Sequence, residues 1–243
     1  MGKRYAFSDI HGNFDLLKQI LKFCNYDDEL YFLGDAIDRG PEGILCMQYL
    51  LNDPRVTYLM GNHENMFIKS YQEKFGRAFD EIVDIYNSST MLWMQNGGDS
   101  TKYKFNELST QEQDSLYSKI INLPNRISFE NKNNKLIVLS HAGTSIYNFI
   151  DNDNKKFNWL WDRKHIDEEY IEDKDIKDIY LVHGHTPVCS HYFQESKMKP
   201  RVVEYCDRHK IDIDMGSFVT NEIALVDLDS IGSEELSINK IYN

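Results

Sequence analysis

The chain has 243 residues, 41% hydrophobic and 27% charged, with 39 Asp and Glu against 27 Lys and Arg for a formal charge of −12. That is soluble-globular composition at a length that buries a sizeable core. The acidic balance excludes a protein that coats nucleic-acid backbone, which needs clustered Lys and Arg.

In chain order, the opening residues turn polar too soon for a signal-peptide core. Ala6 stands where a myristoylation pattern after Gly2 wants Ser or Thr. No run approaches ~18 apolar residues. We therefore expect a cytoplasmic chain with no membrane span. The first predicted strand, Tyr5-Ala6-Phe7, ends in Ser8-Asp9-Ile10-His11-Gly12. Asn13 then caps a predicted helix with apolar positions Phe14, Leu17, Ile20, Leu21 and Cys24. A second strand over 30–33 ends in Gly34-Asp35, and Pro41-Glu42 starts a second helix carrying Ile44, Leu45, Leu50 and Leu51. A third strand over 56–60 ends in Gly61-Asn62-His63-Glu64. This alternation predicts a parallel sheet with helices against it.

Residues 65–123 read as a mostly helical insertion covering one side of the site, with Trp93 and the turn Asn96-Gly97-Gly98 inside it. The apolar run 136–139 leads into Ser140-His141-Ala142-Gly143, and 179–182 into His183-Gly184-His185-Thr186-Pro187. Residues 201–229 alternate like antiparallel strands. The segment 167–178, with seven acids and two lysines, reads as a solvated face.

Five strand ends thus deliver polar clusters to one edge of the fold, where α/β sheets bind ligands. Asp9 and His11, two apart at a strand end, are expected on one face. Asp35, Asn62, His141 and His185 end four other strands. Mixed Asp, His and Asn ligation suits Mn²⁺, Fe²⁺ or Zn²⁺ and needs no thiolate. Six groups exceed one tetrahedral ion and match two ions about 3.5–4 Å apart that share a carboxylate. Asp35, midway in chain order, is the natural bridge.

Other chemistries are poorly served. Cys24, Cys46, Cys189 and Cys206 form no CxxC pair, and none has Arg six residues on, as a cysteine-nucleophile phosphatase requires. Asp212-Ile213-Asp214 has the spacing of an aspartate-nucleophile motif, but Gly216 stands where that motif wants Thr or Val.

Ser8-Asp9-Ile10-His11-Gly12, Gly34-Asp35-Ala36-Ile37-Asp38-Arg39-Gly40 and Gly61-Asn62-His63-Glu64, with His141 and Gly184-His185-Thr186-Pro187, resemble the signature segments of the metallophosphoesterases. More narrowly they resemble the phosphoprotein phosphatases. The resemblance implies one domain over 1–243, of α/β (α+β) class: a sandwich of two mixed β-sheets flanked by helices. It implies two divalent ions, Mn²⁺ first among them with Fe or Zn as alternatives. Asp9, His11 and Asp35 match the ligands of one ion, and Asp35, Asn62, His141 and His185 those of the other. A metal-bridging hydroxide then attacks phosphorus directly. His63 matches the proton donor to the leaving alkoxide and Asp38 the carboxylate that orients it. Arg39 and, in the weaker Leu160-Trp161-Asp162-Arg163 segment, Arg163 match phosphate-binding arginines.

Ser8 and Met60 replace the glycine and arginine of the eukaryotic enzymes, and a SAPNY-like tail segment is missing. The Trp93-Met94-Gln95-Asn96-Gly97-Gly98 segment is closer to compact bacterial and phage phosphatases of the lambda type. The expected substrates are phosphoserine and phosphothreonine in proteins, with phosphotyrosine and small phosphoesters open to the same chemistry. A symmetric bis(5'-nucleosyl)-tetraphosphate hydrolase is the alternative; such enzymes resemble GNHD where this chain has Glu64. A non-catalytic scaffold would lack ligands, and here every expected position is filled. Of the other histidines, His183 is expected to be a packed strand residue, and His165, His191 and His209 surface or supporting residues. Tyr147, Trp159 and Trp161 are candidates to wall the pocket near Arg163.

Overall fold

Period-two alternation sorts each strand between two apolar layers. The computed structural model describes residues 2–75, 89–149, 159–163, 168–169, 176–188 and 199–242. Strand β1 (Arg4–Phe7) pairs in parallel with β2 (Glu29–Phe32), and β2 with β3 (Val56–Tyr58). Later come β4 (Arg126–Glu130), β5 (Leu136–Ser140), β6 (Ile179–His183), β7 (Val203–Tyr205), β8 (Lys210–Asp212), β9 (Glu222–Asp227) and β10 (Ile238–Tyr242). They form two five-stranded mixed sheets, ordered β10-β9-β1-β2-β3 and β4-β5-β6-β8-β7. The last third is antiparallel at β7–β8 and β9–β10, while β8 joins β6 in parallel.

Tyr5 and Phe7 face a cluster shared with helices α1 (Phe14–Phe23) and α2 (Gly43–Asn52), while Ala6 between them faces the second sheet. Leu225 and Val226 divide in the same way. Ile137, Leu139, Val182 and Ile211 close the layer between the sheets. Each such fully buried side chain contributes about 1.5–3 kcal/mol relative to exposure. Helix α1 starts where Asn13 accepts from Leu16 N at 3.2 Å, a capping bond.

Helices α3 (Asn62–Phe75), α4 (Ser89–Gln95), α5 (Asp99–Asn106) and α6 (Thr110–Ile120) follow β3. Of the segment read as a helical insertion, residues 76–88 lie outside the described ones. Among the described residues no helix is long and apolar enough to cross a membrane. Helix α7 (Ser217–Thr220) precedes β9.

Candidate metal centre

The first polar cluster converges for a different reason from strand alternation. β1 stops at Phe7, and both Asp9 (φ 54°) and His11 (φ 47°) lie in the left-handed region. What aligns them is the neighbouring loop: Asp9 N donates to Gly34 O at 3.0 Å and His11 N to Asp35 O at 3.0 Å. Asp35 (φ 64°), Asp38 (φ 72°), Arg39 (φ 64°) and His185 (φ 71°) share this backbone conformation. Two glycines are demanded by close approach. A Cβ on Gly61 would stand 2.2 Å from Asp35 Oδ1, and one on Gly184 2.1 Å from Asp9 Oδ2.

Asp35 is the hub. Its Oδ2 lies 3.4 Å from His141 Nε2, 3.7 Å from His11 Nε2 and 3.8 Å from His63 Nε2. These gaps are long for hydrogen bonds, but suit donors that share an ion with bonds of about 2.0–2.2 Å. Two triplets have ligand atoms within 4.8 Å of one another, His11–Asp35–His63 and Asp35–His141–His185. Asn62 Oδ1 stands 2.8 Å from His141 Nε2 and 2.9 Å from His185 Nδ1. Asp9 is tied in by its Oδ2, which accepts from His185 N at 3.1 Å, and its Oδ1 is 4.0 Å from His11 Nε2.

The ring orientations are fixed from behind. His11 Nδ1 is 2.9 Å from Ile37 O and His141 Nδ1 2.8 Å from Leu33 O. A carbonyl can only accept, so each ring carries its proton there and turns the Nε2 lone pair inward. Burial, then the Arg39 and His63 charges, hold His11 well below the usual imidazole range. Burial likewise lowers His141 and His185. Burial, then Glu64 and Asp9, raise Asp35 well above the carboxylate range. Inward lone pairs and a carboxylate crowded by like charge leave an electron-rich centre that a divalent cation neutralises. The donor set fits borderline divalent ions.

Beside this centre His63 Nδ1 meets Asp38 Oδ2 at 2.6 Å, and both are buried. Two residues not assigned a role from the sequence complete this pair. Trp93 Nε1 donates to Asp38 Oδ2 at 2.8 Å, and Asp38 N donates to Thr101 Oγ1 at 2.9 Å. Burial pushes Asp38 up to about 7, with Thr101 and Trp93 opposing it. Burial and Arg39 push His63 well down. Arg39 reaches the His11 Nε2 at 2.9 Å and the His63 Nε2 at 3.2 Å. Arg163 Nη2 donates to His185 O at 3.0 Å.

Glu64 does not face this opening. It is fully buried and accepts from Asp35 N (2.9 Å), Ala36 N (2.9 Å), Gly61 N (3.0 Å) and the Tyr58 hydroxyl (2.8 Å). A carboxylate so saturated fastens two loops together, so a Glu-for-Asp difference here reads loop packing and not substrate contact. Asp212 and Asp214 are also buried, and burial raises both well above the usual range. Asp214 Oδ1 accepts from Gly216 N at 2.8 Å, which is a structural use.

Cys24, Cys46 and Cys206 are buried and free, and burial pushes the Cys24 thiol to about 12 and Cys206 to about 11. His183 is buried, 3.0 Å from Gly184 O and 2.6 Å from the Tyr205 hydroxyl. His209 is not at the surface: it is buried, 2.8 Å from Ile179 O and stacked on Tyr180, because the β7–β8 turn folds it under the sheet. Of the three aromatics, Trp161 stands against His185, with centroids 5.9 Å apart. Trp159 is buried under Arg126, and the Tyr147 hydroxyl donates to Glu169 O, so neither walls the site. Glu168, read as part of a solvated face, points inward: Ile146 N donates to it at 3.0 Å, Lys210 Nζ at 3.1 Å, and the Ser145 hydroxyl donates as well. Cys189, His165, His191 and most of 167–178 lie outside the described residues.

The calcineurin-like phosphoesterase family model matches residues 3–213. The chain is 37% identical over 98 residues to serine/threonine-protein phosphatase 1 of Salmonella typhimurium, covering 39% of this chain and 38% of that one. It is 33% identical over 141 residues to serine/threonine-protein phosphatase 2 of Escherichia coli, 57% of each chain. It is 31% identical over 97 residues to a symmetrical bis(5'-nucleosyl)-tetraphosphatase of Glaesserella parasuis, covering 38% of this chain and 36% of that one. The chain therefore spans between about a third and just over half of the length of these curated relatives. A serine/threonine phosphatase structure from Saccharomyces cerevisiae shares the fold, with a TM-score of 0.57 at 16% identity over 100% of this chain and 80% of that one. The match over nearly the whole chain agrees with the two-sheet architecture, and the protein belongs to the calcineurin-like phosphoesterase family.

Proposed function

We propose that this protein is a two-metal phosphomonoesterase, acting on phosphoserine and phosphothreonine in proteins and, by the same chemistry, on phosphotyrosine. In this reading Asp9, His11 and Asp35 hold one ion, and Asp35, Asn62, His141 and His185 hold the second. Manganese is the ion of choice, with iron and zinc as alternatives. Bound there, the ions supply Lewis-acid charge and an activated water. Arg39 and Arg163 grip non-bridging phosphoryl oxygens, Arg39 with its planar fork. Asp38, through Nδ1, holds the His63 ring in its charged form, and that ring then gives the proton on Nε2 to the leaving oxygen and becomes neutral.

The observation that carries this reading is the His63–Asp38 contact of 2.6 Å beside Arg39. A poised acid helps whenever the leaving oxygen departs poorly as an anion, as an alkoxide does and, to a lesser degree, a tyrosine phenoxide. A polyphosphate leaves readily as an anion and needs it less. Moreover, Arg39 and Arg163 both act on the buried groups of the site. Two arginines suit one phosphoryl group better than a chain of four.

The symmetric dinucleoside tetraphosphate reading rests on the Glaesserella parasuis relative. The two are separated by kcat/KM of the manganese-loaded protein on a phosphopeptide and on diadenosine tetraphosphate. We expect the phosphopeptide to be favoured; a tenfold preference for the dinucleotide overturns the proposal.

A further inference from the structure

An aromatic ring stands half in solvent at the rim of the site. Phe218, on α7, is 48% exposed, and its neighbour Val219 is 69% exposed. The ring is not there through looseness of the chain. Gly216 (φ 66°) opens α7 and Asn221 (φ 55°) closes it, both left-handed. The Ser217 hydroxyl donates to Asp9 O, so the helix is fastened to the loop that carries Asp9. Thr220 Oγ1 donates to Gly216 O at 3.1 Å, and Asn13 Nδ2 donates to Asn221 Oδ1 at 3.1 Å. An apolar ring fixed in the open at a polar site is a surface waiting for a partner.

The contacts of the ring say which partner. Arg39 Cζ lies 5.3 Å from the Phe218 centroid, and the His11 ring stands edge-on at 6.3 Å. The same Arg39 is 3.2 Å from His63 Nε2. An ester whose phosphoryl group sits on Arg39 and whose bridging oxygen meets His63 would carry its organic group beside Arg39, the side chain that Phe218 adjoins. Across the centre Trp161 is edge-on to His185 at 5.9 Å. Aromatic pairs gain from offset or edge contact, and a pre-placed ring loses little freedom in making it.

We propose that Phe218 is a specificity-determining residue that favours aryl over alkyl phosphomonoesters, and so phosphotyrosine over phosphoserine. This rests on the phosphomonoesterase reading above. In the reaction the P–O bond to the ring oxygen breaks and a water oxygen bonds to phosphorus. The phenol leaves with one of the water's protons in net balance, relayed through His63, and phosphate keeps the other. A nucleobase is a poorer match, because a ribose separates it from the phosphoryl group that Arg39 holds.

The test uses the full manganese-loaded chain and one peptide in phosphotyrosine and phosphoserine forms, with diadenosine tetraphosphate as a third substrate. The readout is the ratio of kcat/KM for phosphotyrosine over phosphoserine, which cancels any general effect of Phe218 on Arg39. F218A should lower that ratio about five- to tenfold. F218L, which keeps bulk without a ring, should do the same, and F218W should keep the ratio within about twofold. An unchanged ratio in F218A and F218L overturns the inference, as does a larger loss on the dinucleotide than on phosphotyrosine. The wild-type ranking of peptides against dinucleotide judges the phosphomonoesterase reading separately. If neither peptide is turned over, that reading falls and this inference with it.

Discussion

Trp93 and His63 converge on one atom: the indole donates to Asp38 Oδ2 at 2.8 Å, the oxygen that His63 Nδ1 meets at 2.6 Å. The indole stabilises the ionised carboxylate, and so sets the pH at which Asp38 can hold a charged imidazole. Burial already lifts Asp38 to about 7. W93F removes a donor that lowers it, so Asp38 rises further and the acid limb of kcat/KM moves to higher pH. A shift of about half to one unit is expected. Steady-state rates across pH 5–9 would show it, and an acid limb that stays in place removes Trp93 from this role.

H63N should lower kcat by about a hundredfold or more while manganese still binds, the usual worth of a general acid. Calorimetric titration with manganese checks binding, and turnover of a phosphopeptide checks the rate. Full activity in H63N would rule out His63 as the proton donor.

Metal and stability should be linked through Asp35. In the apo chain this carboxylate is buried among like charges. D35N should therefore melt at or above the apo wild type. Manganese at about a hundred times its Kd should stabilise the wild type by about 2.7 kcal/mol, a rise in Tm of about 5–10 °C. D35N should lose most of that rise. Equal metal responses in the two proteins would deny Asp35 its bridging position.

The buried ion pair between Lys210 and Glu168 gives a second stability test. Lys210 is fully buried and 3.1 Å from Glu168 Oε2. Burial lowers Lys210, and the Glu168 charge and hydrogen bond oppose that. E168L removes that carboxylate from beside a buried ammonium and should cost up to about 3 kcal/mol, while E168L/K210M should recover part of the loss. Denaturant melts of both variants measure this directly.

Asp53 supplies a pH signature. Arg55, with Nη2 2.6 Å from Asp53 Oδ2, holds that carboxyl below the usual carboxylate range. The unfolded chain then binds the proton more readily than the folded one. The stabilisation is complete above the unfolded value and disappears as pH falls through the folded one. Denaturant melts should therefore show D53N destabilised at pH 7, with the gap to the wild type closing as pH falls through the folded-state value.

The residues proposed to bind metal were legible because side-chain type and strand end coincide in the chain: Asp9, Asp35, Asn62, His141 and His185 each follow an apolar run. The parallel strands of the first sheet followed from the same runs, and the two-sheet sandwich from the resemblance that the motifs carry. What was not legible comes from distance and direction. Trp93 and Thr101 reach Asp38 from 55 and 63 positions away, and no local pattern marks such contacts. Glu64 sits in a motif whose neighbours Asn62 and His63 belong to the proposed site, yet its own side chain turns under the loops. Phe218 carries no motif at all; only its exposure beside Arg39 singles it out.

Asp9, His11, Asp35, Asp38, Arg39 and His185 all hold a backbone conformation that costs an L-residue about 1–2 kcal/mol. A selection for heat tolerance that ignored turnover would be drawn to these six positions, since glycine relieves the cost at each. Evolving the protein toward rigidity and evolving it toward chemistry therefore pull on the same residues in opposite directions. Consensus or cavity-filling changes aimed at stability belong in the helices behind the first sheet, where sturdiness can rise without competing with turnover.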